Sequence, residues 1–311
     1  MIAIIRKGEF IMHSGSIIIL ITIFVYLVGM MLIGVYYANK NKSTSEFYLG
    51  GRTLGPYVTA MSAEASDMSS YLLMGIPGLA YLSGMAEAGW TIAGLAIGTY
   101  FNWLFTAQRL RRYTHLTDSF TFPQFLSHRF HEEKSILAVI GAIVIIIFFV
   151  PYTASGFAAC GKVFSALLGF DYTITMIVSA VVIVSYIATG GFLAVSMTDF
   201  IQSIIMSIAI LFVVGFAVVS AGGIDVVIDH AQQLPGYLSA TASYDPETNT
   251  ASAFGALSII TTLSWGLGYF GMPHILLRFM AIEDEQKLKV SRRVGTGWVI
   301  VAMAMAVSIG I

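Results

Sequence analysis

Long apolar runs separated by short charged or glycine-rich stretches make up most of the chain. A membrane-crossing helix needs roughly 20 such residues. The pattern predicts segments at about 16–38, 56–80, 88–108, 136–164, 173–191, 195–220, 253–280 and 294–311. Seven are complete. The eighth, VGTGWVIVAMAMAVSIGI, reaches residue 311 without a flank or cap, so a longer parent protein is expected. The first run follows Arg6 and Lys7 but exceeds a signal-peptide core and lacks an A-x-A site, which predicts a retained helix. Between the runs, DVVIDHAQQL has the spacing of a short surface helix, and SATASYDPETNTAS is turn-rich and expected to be mobile. The segment 111–134, with Pro123 and mixed charges, is expected to be a structured connection.

Two spans break the pattern. The second, within GRTLGPYVTAMSAEASDMSSYLLMGIPGL, carries Glu64, Asp67 and four serines between Ser62 and Ser70. The seventh contains SWGLGYFGMPH, three glycines and a proline at bilayer depth. Gly/Pro-interrupted segments at corresponding places in two halves point to broken helices around a central transporter site. Irregular backbone survives at that depth only where protein or a cavity surrounds it. The seventh span follows the second by five helices, which suits a five-helix repeat followed by its inverted copy. The expected fold is therefore all-α and polytopic, with residues 16–38 as a leading helix, 56–220 as the first repeat and 253–311 as the start of the second.

Composition places the chain in the membrane class: 57% of its 311 residues are hydrophobic and 11% charged, against about 25% charged in soluble domains. A net charge of −1 gives no reason to expect a nucleic-acid partner, and one cysteine, Cys160, excludes an internal disulfide. Alternate loops divide the Lys and Arg residues unevenly. Thirteen (Lys40, Lys42, Arg52, Arg109, Arg111, Arg112, Arg129, Lys134, Arg278, Lys287, Lys289, Arg292, Arg293) fall on one side, and Arg6, Lys7 and Lys162 on the other. Positive charge collects in the cytoplasm, so the N-terminus is expected outside.

An intramembrane acid costs roughly 2.5–3.5 kcal/mol on insertion scales and is kept where it faces a partner, an ion or a cavity. Asp67 meets that description. Glu64, three residues earlier and on the same helical face, could serve either function or packing. Unwinding here would free carbonyls, and carbonyl, hydroxyl and carboxylate oxygens together suit a hard cation such as sodium. The serines equally suit close helix packing. Trp265, Tyr269 and Phe270 could line a pocket beside free amides near Gly266, Gly268 and Gly271, or form an ordinary aromatic core. Tyr152, after Pro151, reads as core before pocket. Asp199 is accounted for by the dipole of the helix it begins, and His274 by packing. No nucleophile–base set, P-loop or HExxH is present, so enzyme chemistry is not expected.

FYLGGRTLGPYVTAMSAEASDMSSYLLMGIPG, TGGFLAVSMTDFIQ and SWGLGYFGMPHILLRFMA, in that order, resemble the sodium/solute symporter family and its proline-carrying members most closely. The resemblance covers essentially the whole chain. It implies a thirteen-helix protein with the inverted-repeat core of sodium-coupled amino-acid transporters. It further implies sodium contacts at the backbone oxygens of Ala65 and Met68, a carboxylate at Asp67 needed for sodium dependence, and Ser69 close by. Tyr152, Trp265, Tyr269 and Pro273 match the substrate region, Arg52 a loop arginine, and Asp199 an acid that affects coupling. Ser70 and Tyr71 stand where some relatives have Gly-Trp, and Glu64 where some have glycine. A later helix that completes the sodium site with serine and threonine oxygens lies outside this chain. The function implied is sodium-coupled uptake of L-proline across a bacterial plasma membrane. The alternatives are another solute on the same fold, or a transporter-like sensor with a signalling domain beyond residue 311.

Overall fold

The computed structural model describes residues 14–311; Arg6 and Lys7, used above for orientation, lie outside the described residues. Among the described residues the regular structure is helical apart from one hairpin. Helix α1 (Ser14–Ala38) is followed by a short α2 (Thr44–Leu49), capped by the Ser43 hydroxyl, which accepts from the Glu46 amide. Among the described residues, four stretches are long and apolar enough to cross a membrane unaided: Ile17–Ala38, Ile136–Leu168, Tyr172–Ser220 and Glu285–Gly310.

The second predicted segment is a broken helix. Helix α3 (Pro56–Asp67) begins at a proline, whose missing N–H is harmless in a first turn. It stops at Met68, and a wide turn over Tyr71–Gly75 leads into α4 (Ile76–Ser83). Pro77 explains the widening, since a proline cannot complete the regular helical bond and a wider turn absorbs the mismatch. Next, α5 (Met85–Phe101) continues through a second wide turn, Asn102–Ala107, into α6 (Gln108–Leu116). The expected structured connection contains α7 (Phe122–Arg129), with Thr121 as its cap and Pro123 in its first turn.

Helix α8 (Ile136–Leu168) precedes α9 (Tyr172–Ser220), a run of 49 residues that changes direction at Gly191. There φ is 62° and ψ −161°, a conformation open essentially to glycine. An added Cβ would also lie 3.1 Å from the Phe47 carbonyl oxygen. This turn separates the two segments expected at 173–191 and 195–220.

Beyond α10 (Ile224–Gln233), which matches the expected surface helix, the stretch expected to be mobile is ordered. It forms the antiparallel hairpin β1 (Ala242–Asp245) and β2 (Thr250–Ala253). Asp245 holds its turn by accepting from the Glu247 amide at 2.9 Å and the Thr248 hydroxyl at 2.8 Å. Those bonds, the Thr248 hydroxyl first, hold the Asp245 carboxyl below its ordinary range. Tertiary contacts tie the hairpin region down: Trp90 donates to the Ala240 carbonyl, and the Met85 amide to that of Tyr237. Turn-rich sequence therefore did not mean mobility.

The seventh segment is broken as expected, into α11 (Ala256–Leu263), a tight turn over Ser264–Gly271, and α12 (Pro273–Ala281). Helix α13 (Leu288–Gly310) closes the chain. The core lies where α3, α4, α5, α12 and α13 meet, with Leu72, Ile76, Phe279, Met280, Val299 and Met303 buried together. By contrast, α8 and much of α9 leave their apolar surface open, as helices facing lipid do.

Close approach of backbones builds the contact between α5 and the second broken helix. A Cβ at Gly94 would lie 2.7 Å from the Leu263 Cα and 2.9 Å from its carbonyl carbon. Gly94→Ala is therefore expected to destabilise the fold by about 1–3 kcal/mol through overpacking. In the same helix, Gly89 has only the flexible Met85 nearby, at 3.6 Å. Gly89→Ala should be neutral or stabilising by up to about 1 kcal/mol. Thermal unfolding of the two variants in detergent checks the opposite signs.

Candidate functional site

The two breaks face each other. At the end of α3 the Ser69 amide donates to the Asp67 carbonyl at 2.8 Å, while the Met68 amide still reaches Glu64. The Ala65 carbonyl thereby loses the donor that a continuing helix would give it. Across from it, the tight turn is held by Asn102, whose amide donates to the Tyr269 carbonyl at 2.8 Å from a fully buried position. This is how irregular backbone is tolerated at such depth: a protein amide replaces the missing helical donor.

Asp67 lies at the centre of the cluster. His274, in the first turn of α12 directly after Pro273, places its Nε2 3.7 Å from the Asp67 Oδ1. The imidazole stacks on Tyr152 with ring centres 5.9 Å apart and meets Phe149 edge-on at 5.6 Å. The Tyr152 hydroxyl lies within reach of Ser69, and both it and the Tyr269 hydroxyl feel the Asp67 charge. Trp265 stacks on Tyr71 at 5.3 Å and stays 53% exposed, whereas Tyr269 is 4% exposed. Tyr71, the departure from some relatives' Gly-Trp, thus touches this site directly.

A second polar cluster lies along α3. Arg278 donates to the Asp199 Oδ2 at 2.9 Å, to the Ser62 hydroxyl at 3.0 Å and to the His274 carbonyl at 2.7 Å. Ser62 and Ser66 also donate to the same carboxylate oxygen, at 2.8 and 3.0 Å. The Arg278 guanidinium faces the Phe192 ring at 5.4 Å, a cation–π contact. Asp199 is therefore more than the helix-dipole acid that the sequence suggested. Its carboxylate is buried and held by three donors, because α3, α9 and α12 converge on it. Arg278 likewise leaves the set of loop cations used for orientation. Sequence reasoning missed both Arg278 and the position of His274; an arginine in an apolar segment was the available signal.

The other candidates sit apart. Glu64 is buried and accepts from the Trp103 Nε1 at 2.8 Å, facing Gly295 rather than Asp67's aromatic neighbours. Arg52 belongs to the Lys/Arg-rich end of the bundle. Its guanidinium donates to the carbonyls of Thr114 at 2.9 Å, Ser119 at 3.0 Å and Met280 at 3.2 Å. It ties together the chain ends of α6 and α12, where carbonyls lack helical donors. Burial, and then the neighbouring Arg111, lower its pKa from the usual value. Arg52 therefore braces the scaffold and does not touch the Asp67 cluster.

This geometry can hold a hard cation through oxygens on α3 and a small zwitterion among aromatic rings. The family model described as sodium:solute symporter family matches residues 47–311. The osmoregulated proline transporter OpuE of Bacillus subtilis (strain 168) is 40% identical over 297 residues, 95% of this chain and 58% of that protein. A sodium/proline symporter of Staphylococcus aureus is 40% identical over 292 residues, 94% of this chain and 55% of that one. The chain thus spans a little over half the length of these relatives. Among solved structures, a Na+-coupled sialic acid symporter, in a substrate-bound outward-open state, superposes with a TM-score of 0.73. It is 18% identical, and the match covers 92% of this chain and 58% of that one. The broken helices, the long motifs and the match over most of its length together place the chain in the sodium:solute symporter family.

Proposed function

We propose that this chain belongs to a sodium-coupled L-proline symporter of a bacterial plasma membrane, working by alternating access. The observation that carries the reading is the facing pair of breaks: Asp67 and the freed Ala65 carbonyl on one side, Trp265 and His274 on the other, with Tyr152 of α8 stacked on His274. Sodium would sit on the backbone oxygens of Ala65 and Met68, with Asp67 supplying the negative charge and Ser69 beside it. Proline would lie against Tyr152, Trp265 and Tyr269, above the helix start at Pro273. An unwound helix presents both free carbonyls for the cation and free amides for a carboxylate. In this arrangement residues 56–220 form the first five-helix repeat, and 253–311 open its inverted copy. The N-terminus lies outside and the Arg52 end in the cytoplasm.

Coupling follows from the shared element. Asp67 and Asp199 both engage α12, the first through the His274 ring and the second through Arg278, which also holds the His274 carbonyl. A cation that repositions the end of α3 thus acts on the helix that carries the aromatic wall. By linkage, sodium and proline must raise each other's affinity by one factor, typically 5–150-fold. The test is uptake of radiolabelled proline by vesicles carrying the parent protein, with and without an inward sodium gradient. Gradient-stimulated uptake, competed by proline and not by pantothenate or sugars, is expected. Uptake indifferent to sodium would overturn the assignment.

A further inference from the structure

The outer face of α5 and α6 is unused by the transport reading and changes character along its length. Phe101, Leu104 and Phe105 are exposed, and the Phe101 and Phe105 rings lie parallel with centres 5.5 Å apart. One turn further the same face turns basic. Gln108, Arg109, Arg112, Tyr113 and Leu116 line a groove of about 370 Å³. Spacings of three and four keep these groups in one stripe of a helix, and the wide turn at Asn102–Ala107 carries the stripe across without a break in the helix.

The cations are available in different degrees. Arg109 has no ion pair or hydrogen bond among the described residues. Arg112 forks onto Glu285, at 2.8 Å to Oε1 and 3.1 Å to Oε2, yet its side chain remains 61% exposed. Arg129 faces the Tyr113 ring at 5.7 Å, adding a third positive charge at the rim. The groove thus joins an arginine pair, suited to a phosphate, to an aromatic strip of the kind that faces hydrocarbon. A soluble anion would use the first feature and gain nothing from the second.

We propose that this groove binds an anionic phospholipid, its phosphate on Arg109 and Arg112 and an acyl chain along Phe105 and Phe101. Basic pockets between membrane helices recognise such headgroups, each nearby Arg contributing about fivefold in affinity. Arg112 is shared between Glu285 and the lipid, so the two compete. The expected result is specific: Glu285→Gln frees Arg112 and tightens lipid binding, whereas Arg112→Gln weakens it about fivefold. Were the pair a mere structural bridge, the two variants would act alike.

The experiment titrates the detergent-purified parent protein with phosphatidylglycerol, phosphatidylcholine or inorganic phosphate, and reads bound ligand by native mass spectrometry. Expected are preference for phosphatidylglycerol, about fivefold weakening in Arg109→Gln, and weakening of lipid binding in Phe105→Gln. Equal binding of the two lipids, no change in Arg109→Gln, or the same effect of Arg112→Gln and Glu285→Gln would overturn the proposal. Inorganic phosphate binding as tightly as the lipid would reduce the site to an anion site. Transport plays no part in the readout, so failure of the symport reading leaves this test intact.

Discussion

Arg278→Ala is expected to cost about 3–5 kcal/mol, the range for removing one partner of a buried ion pair. Folded domains are stable by only about 5–15 kcal/mol, so this single change approaches the whole margin. The size follows from what is left behind. Asp199 would keep two serine hydroxyls but lose its countercharge, and the His274 carbonyl at the start of α12 would lose its side-chain donor. Arg278→Lys keeps the charge without the fork that reaches Asp199, Ser62 and His274 at once, and should recover part of the loss. The double change Arg278→Met with Asp199→Leu removes both charges and is expected to be milder than Arg278→Ala alone. Thermal unfolding in detergent measures all three. A loss below about 0.5 kcal/mol in Arg278→Ala would mean that the pair is not desolvated.

The second large effect concerns ion dependence. Asp67→Ala is expected to abolish sodium stimulation of proline uptake while leaving the fold in place. The carboxylate lies 3.7 Å from His274, beyond hydrogen-bond range, and no arginine or lysine pairs with it among the described residues. Removing it strands no buried charge. Asp199→Ala should do the reverse: it strands Arg278, lowers stability and weakens stimulation only through the position of α12. Sodium titrations of initial uptake rate, set beside melting curves of the same variants, separate the two roles. Normal sodium dependence in Asp67→Ala would remove Asp67 from the site. Loss of stimulation in Asp199→Ala at unchanged stability would make Asp199 the ion's partner instead.

Asp67 could be read from the sequence for the same reason that it has an effect: an acid in an apolar span is costly, and that cost is local. Breaks in the helices were equally visible, because Pro77 and the glycines of SWGLGYFG constrain backbone within a few residues of themselves. The contacts of His274, Arg278 and Arg52 were not. His274 acquires meaning from Tyr152 on α8 and Asp67 on α3. Arg278 pairs across 79 positions with Asp199, and Arg52 reaches carbonyls 62, 67 and 228 positions away. No periodicity encodes such distances.

The hairpin Ala242–Ala253 teaches the converse. Its composition suits a mobile loop, yet Trp90 and Met85 anchor the chain beside it. Order there is a property of the neighbours.

By itself the sequence determined the membrane class, the helical content, the two interrupted spans, the anomalous Asp67 and the family motifs. All of these follow from hydrophobicity, from backbone restrictions at Gly and Pro, or from residue order, which act over short stretches. Only the tertiary structure decided which polar groups meet: Asp199 with Arg278, Asp67 with His274, Glu64 with Trp103. In a hydrocarbon environment every buried polar group must find a partner inside the protein, and which partner it finds depends on how helices distant in sequence cross.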